Sequence, residues 1–196
     1  MSLDLTGIPI ASVVPRLIEF GGALTPSLGG PVQRIDRLGN RWAMDFQTAP
    51  MALEPYGRRW ASLLTRAKRE GALLKVSLPN FDPRTPGSPT VAAETLSGRT
   101  VPITGMTRNH PIVSGQFVSI VHAGHRYLDM VVADAESAAD GTATLTLANL
   151  LRAPLVAGDA VELGKPMIEG SISGVLSWPW QNNRLTVFSF TIEEDA

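Results

Sequence analysis

Trp42, Met44 and Phe46 alternate with Arg41, Ala43, Asp45 and Gln47. A period of two places the three apolar side chains on one face of a half-buried strand. The turn sequence Leu38-Gly39-Asn40-Arg41 precedes it, and residues 32–38 are the expected hairpin partner, with Ala49-Pro50-Met51 ending the unit. The period then changes. Tyr56, Trp60, Leu63, Leu64 and Ala67 fall at i, i+4, i+7, i+8 and i+11, one apolar stripe of a helix. Pro55 suits its first turn and Glu54 its positive end, Arg66, Lys68 and Arg69 suit its negative end, and Gly71 stops it. Leu74, Val76 and Leu78 return to period two. The block reads β-β-α-β, with the helix across the sheet because each has one apolar face to bury.

Residues 79–89 carry Pro79, Pro83, Pro86 and Pro89, which exclude a helix or a central strand. Beyond them the chain shows strand and turn signals only. Gln116 to His122 and His125 to Val132 flank Ala123-Gly124, a two-residue hairpin signal. Asp140-Gly141 precedes the alternating Ala143, Leu145 and Leu147, and Gly158-Asp159 turns into residues 160–163. Near the end, Ile168, Ile172 and Val175 are sparse, Asn182-Asn183 can supply a turn, and Phe188, Phe190 and Ile192 alternate in a closing strand. The expected fold is mainly β. A β-sandwich with one flanking helix, formed by residues 1–82 plus 166–196, is interrupted by a small β-barrel or β-sandwich at 83–165.

Composition narrows the function classes. At 196 residues and 44% hydrophobic content the chain can bury a core. No cysteine is present, which removes disulfides, thiolate metal sites and a cysteine nucleophile together. Net charge is −1, so bulk electrostatics name no partner. Residues 1–82 hold ten Arg/Lys against seven Asp/Glu (+3), and residues 166–196 hold one against four (−3), so the two ends should attract. Met1-Ser2-Leu3-Asp4-Leu5 lacks the basic start of a signal peptide, and no apolar run approaches the ~20 residues of a membrane helix.

Candidate chemistry is thin. His122 and His125 can face each other across the hairpin turn with Asp129 nearby, but a metal wants a better third ligand, and surface histidines, His110 included, are the expectation. Asp36 and Asp45 lie on expected neighbouring strands beside arginines, which points to an ion-paired face. No nucleophile elbow or phosphate loop occurs. The helix residues Arg58, Arg59, Arg66, Lys68 and Arg69 read as a solvated face or as an arginine contact with another protein. Nucleic acid is disfavoured because Tyr56 and Trp60 belong to the apolar stripe and leave no stacking platform. Trp178 and Trp180, two apart around Pro179, are either core or an anchor at a subunit contact.

Three stretches then carry a resemblance. They are Gln33-x-x-x-Arg37-x-Gly39-x-x-Trp42 with Pro50-Met51, the helix around Trp60 and the strand to Pro79; Gly115-Gln116-Phe117-Val118-Ser119-Ile120 with Tyr127, Asp140-Gly141, Leu150-Leu151-Arg152 and Gly158-Asp159; and Phe188-x-Phe190-x-Ile192-Glu193-Glu194. In this order the chain resembles the distal and minor tail proteins of long-tailed bacteriophages. The resemblance implies a tail-tube-like β-sandwich with a helix, assembled as a six-subunit ring around a DNA channel, with a second β domain projecting outwards. It implies contacts with the tail tube protein and the tip or hub protein, and it allows one with the tape-measure protein. It implies no cofactor, no metal, no catalytic residue and no membrane insertion, with the protein residing in the virion after synthesis in the bacterial cytoplasm. Candidate interface residues are Arg58, Arg59, Arg66, Arg69, Trp178, Trp180, Glu193 and Glu194, the last two with Asp195 as acids suited to a channel wall. The competing readings are a tube or tail-completion subunit, a glycan-binding or host-attachment module resting on Phe117 and Tyr127, and a cell-wall hydrolase resting on Glu94 or Asp129 with a histidine.

Overall fold

A computed structural model describes residues 2–179 and 184–195. It is mainly β, with 47% of residues in strands. One six-stranded sheet runs in the order Leu3–Asp4, Ala72–Lys75, Met167–Ser177, Ser189–Glu194, Arg41–Thr48 and Ile10–Ile18. All its strands come from residues 3–75 and 167–194. A second six-stranded sheet uses only residues 87–162, in the order His125–Met130, Phe117–His122, Ala160–Glu162, Gly87–Val91, Thr100–Met106 and Ala143–Thr146. Its two end strands also meet, because Val132 N–H donates to Thr146 O and Ala148 N–H to Met130 O, each at 2.9 Å. The second sheet therefore closes into a small barrel, which removes its free edges.

The partner of Arg41–Thr48 differs from the expected one. That strand pairs with Ile10–Ile18 on one side and Ser189–Glu194 on the other. Residues 33–35 instead pair with Gly22–Leu24 in a separate two-stranded ribbon. Local turn chemistry favours the nearer partner, but the central strand is buried on both faces and needs long neighbours on both sides. Residues 19–40 thus form an arm inserted between two paired strands. Phe20 N–H donates to the buried Asn40 Oδ1 at 2.8 Å and closes its base. Pro15 does not prevent Ile10–Ile18 from being a strand, because that strand lies at the sheet edge, where a missing N–H is tolerated.

The helix Arg58–Glu70 crosses the first sheet. Leu64 and Ala67 are buried, with Trp60 and Leu63 packed beside them. Tyr56, expected in that stripe, lies before the regular helix and is 60% exposed. Gly71, at φ +90°, ends the helix, and its N–H donates to Ala67 O at 2.9 Å. The Lys68 ammonium donates to the carbonyls of Ile172 and Gly174 and fastens the last turn to the long strand. Val175 is 89% exposed, inside an irregularity in that strand's register.

Two apolar cores result. The barrel is filled by its own residues, Val101, Ile103, Val118, Leu145 and Leu155 among them. The first core holds Trp42, Met44, Phe46, Leu64 and Phe188, but also Phe117 and Leu128 from the barrel. The edge of Phe117 meets the Trp42 ring, with centroids 5.1 Å apart. The barrel therefore contributes side chains to the core of the sheet it interrupts.

Candidate assembly surface and the seam between the sheets

Polar groups line the same seam. Asp129, on the barrel strand His125–Met130, is 9% exposed. It accepts hydrogen bonds from Trp42 Nε1 at 3.1 Å, Asn149 Nδ2 at 2.9 Å, and the Asn149 and Met130 amides at 3.1 and 2.8 Å. Burial pushes its carboxyl above the usual aspartate range, against the pull of those donors. Glu194, on the last strand, is 2% exposed. Its Oε2 accepts from Trp42 N–H and its Oε1 from Leu128 N–H, both at 2.7 Å. Burial raises its carboxyl as well, with Arg152 and the two amides opposing. Further out, Arg126 lies between Glu162 and Glu169, and Glu169 also accepts from Ser2 Oγ at 2.8 Å.

These positions answer several sequence expectations. Glu194 is not an exposed acid for a channel wall, because its carboxylate is used inside the chain. Glu193 is half-buried and pairs with Arg41 at 2.9 Å, an attraction between the basic N-terminal and acidic C-terminal segments. Asp195 is exposed. Asp45 pairs with Arg16 at 2.8 Å, which holds its carboxyl below the ordinary range. Asp36 pairs with Arg99 of the barrel, not with its chain neighbour Arg37. The sequence reading gave Arg152 and Asn149 no role at a seam; the only available signal was an arginine directly after Leu150-Leu151.

His122 and His125 do sit opposite each other, but His122 Nδ1 pairs with Asp159 at 2.8 Å and Asp129 faces Trp42 and Asn149. No group of three metal-capable side chains occurs among the described residues. His110, expected at the surface, is 5% exposed, and burial lowers its pKa. Glu94 is exposed, and no histidine contacts Asp129 among its hydrogen-bond partners. Phe117 is buried and the Tyr127 ring lies under Arg152, so neither offers the open face a sugar needs.

On the helix, Arg58, Arg59, Arg66 and Arg69 are all exposed. Arg58 pairs with Glu54 at 2.8 Å and Arg66 with Glu70 at 2.7 Å along the helix, whereas Arg59 and Arg69 form no ion pair among the described residues. Trp178 is half-buried against the first core, with its ring 5.7 Å from that of Phe188. Trp180 and the turn at Asn182-Asn183 lie outside the described residues.

Exposed large apolar residues concentrate along the edge strand and the arm. Val14, Leu17, Phe20, Leu24, Leu28, Val32, Ile35 and Leu38 are all exposed, eight of the fifteen exposed large apolar residues among those described. Among the described residues no helix is long and apolar enough to cross a membrane. A scan against protein-family models finds no match to this chain, and a search among curated proteins finds none either.

Proposed function

We propose that this chain is a non-enzymatic structural protein of a phage tail, forming a ring at the distal end of the tail tube and joining it to the tip or hub. The observation that carries this reading is the run of exposed apolar side chains from Val14 to Leu38 on an edge strand and its arm. A protein that worked alone would hide such a surface, and a subunit of an assembly covers it with a neighbour. Support also comes from the welded seam, which suits a subunit that bears load between two neighbours along an axis. The ring is a hexamer around a channel that passes DNA without reading its sequence. The tail tube protein, the tip or hub protein and the tape-measure protein are its neighbours.

Electron microscopy of purified particles labelled on this chain tests the reading. One ring of label at the tip end of the tube is the expected result. Label along the whole tube would make it a tube subunit, and absence from particles would end the assignment.

A further inference from the structure

We propose that the cleft between the arm and the barrel binds an extended polypeptide segment of another protein, gripped along its backbone by the side-chain amides of Asn40 and Asn149. The cleft has a volume of about 780 Å³, inside the range of roughly 300–1,000 Å³ that binding sites occupy. Asn40 enters it from the base of the arm, Gly22 and Ile35 from the ribbon, and Asn149 from the barrel. Its walls are fixed before anything enters. Residues 22–24 pair with 33–35, and Asp36 of the arm pairs with Arg99 of the barrel. A preformed recess loses little freedom on binding.

Two amides along this cleft are only half used. Asn40 is 6% exposed. Its Oδ1 accepts from Phe20 N–H, which fixes the orientation of the amide, and its Nδ2 has no partner among the described residues. Asn149 is 5% exposed. Its Nδ2 donates to Asp129 Oδ1, which fixes that amide too, and its Oδ1 has no donor among the described residues. Neither free atom is sealed in the interior, and both residues line the cleft. One held amide thus presents a donor and the other an acceptor, and the carbonyl and N–H of a peptide backbone are the matching groups. An occupant that left them unpaired would lose affinity, so they select for one that pairs both. Leu17 and Ile35, each more than a third exposed, can cover small apolar side chains. Glu19 and Arg34 carry opposite charges and form no ion pair among the described residues, so the cleft favours neither sign. A nucleic acid would meet the carboxylates of Glu19 and Asp36, and a sugar ring would find no aromatic face, since no aromatic residue lines the cleft.

An array of acetylated, amidated heptapeptides of random sequence, probed with the full chain, tests the site. Peptides that bind should shift the side-chain amide signals of Asn40 and Asn149 in nuclear magnetic resonance titrations. Asn40→Asp keeps the oxygen that Phe20 N–H needs and turns the free donor into an acceptor, so it should weaken those peptides at least about tenfold. Gly22→Leu acts from the opposite wall. A Cβ there meets open space within the chain, so the added side chain fills the cleft without an internal clash and should abolish binding. The circular dichroism of each variant checks its fold, and either variant suffices if the other fails to fold. An array without binders, peptides that leave the two asparagine signals unmoved, or binding indifferent to Asn40→Asp and Gly22→Leu would each overturn the proposal. Tighter binding of methyl glucoside at the same two signals would replace the polypeptide by a saccharide and overturn it as well. None of these outcomes bears on the ring, which microscopy of the particles decides separately.

Discussion

Glu194 reaches from the last strand of the first sheet to Arg152 of the barrel, with Oε1 and Nη2 2.6 Å apart and the two side chains 1% and 10% exposed. The same carboxylate holds the Trp42 and Leu128 amides, so one side chain ties the central strand, the barrel and the C-terminal strand together. Glu194→Ala leaves a buried guanidinium and two buried amides unpaired. We expect a loss of about 3–5 kcal/mol. Arg152→Ala should also be costly, and the double variant should cost clearly less than the sum of the two. Urea unfolding of the four proteins measures this coupling; strict additivity would show that the pair does not act as a unit.

Asp129 gives the seam a pH dependence of known sign. Its folded pKa is raised by burial, so the folded chain holds that proton more tightly than the unfolded one. The stability this contributes is fully present below the ordinary aspartate value of about 3.9 and is lost as pH rises through the raised value. Asp129→Asn removes the titration. The stability advantage of the native protein over this variant should therefore shrink between about pH 4 and pH 7. The lowered carboxylates Asp4, Asp45, Glu70, Asp134 and Asp140 act in the opposite direction, but they are common to both proteins and cancel. Unfolding midpoints at the two pH values decide it; an advantage that grew with pH would be the wrong sign.

Elements with a strong local period were legible in the sequence. The helix around Leu64, the strand of Trp42 and Phe46, and the hairpin at Ala123-Gly124 needed only spacing and turn chemistry. The closing strand does pair with the N-terminal sheet, as its period suggested, but the other partner of Arg41–Thr48 was assigned wrongly. Nothing near Arg41 reveals that its neighbour is Ile18, because the intervening arm carries its own turn signals and its own ribbon. The strands Gly87–Val91 and Thr100–Met106 were hidden for a related reason, since Pro89 and Pro102 break the pattern while the barrel tolerates them. The acids at 193–195 looked alike in the chain, yet Glu193 is half-buried in an ion pair, Glu194 is buried and Asp195 is exposed. Only the seam, built from four separated segments, makes that distinction.

Ala123 occupies the first turn position at φ +50°, followed by Gly124 at φ +82°. Both values belong to the two-residue turn that favours asparagine then glycine, and an alanine pays roughly 1–2 kcal/mol for the left-handed region. The side chain is exposed, so nothing is lost on replacement. Ala123→Asn should stabilise the protein by about 0.5–1 kcal/mol and raise its melting temperature by about 1–4 °C. Calorimetry on the two proteins is sufficient; an unchanged or lower melting temperature would mean that the turn is already relaxed.

Gly170 lies in the strand Met167–Ser177, opposite Glu194, and is buried. A Cβ added there would run into the carbonyl oxygen of Glu193 and come within 2.7 Å of Glu194 Cα. These are backbone atoms of the strand that aims Glu194 into the seam, so relief of the clash moves the clamp itself. Gly170→Ala should cost about 3 kcal/mol. Gly22→Ala is the matched control, because a Cβ at Gly22 meets open space, and it should change stability by no more than about 0.5 kcal/mol. If strand displacement is the cause, Gly170→Ala should also lose much of the coupling between Glu194 and Arg152 when the double-variant measurement is repeated in its background. A destabilised protein with that coupling intact would place the damage in the first sheet alone.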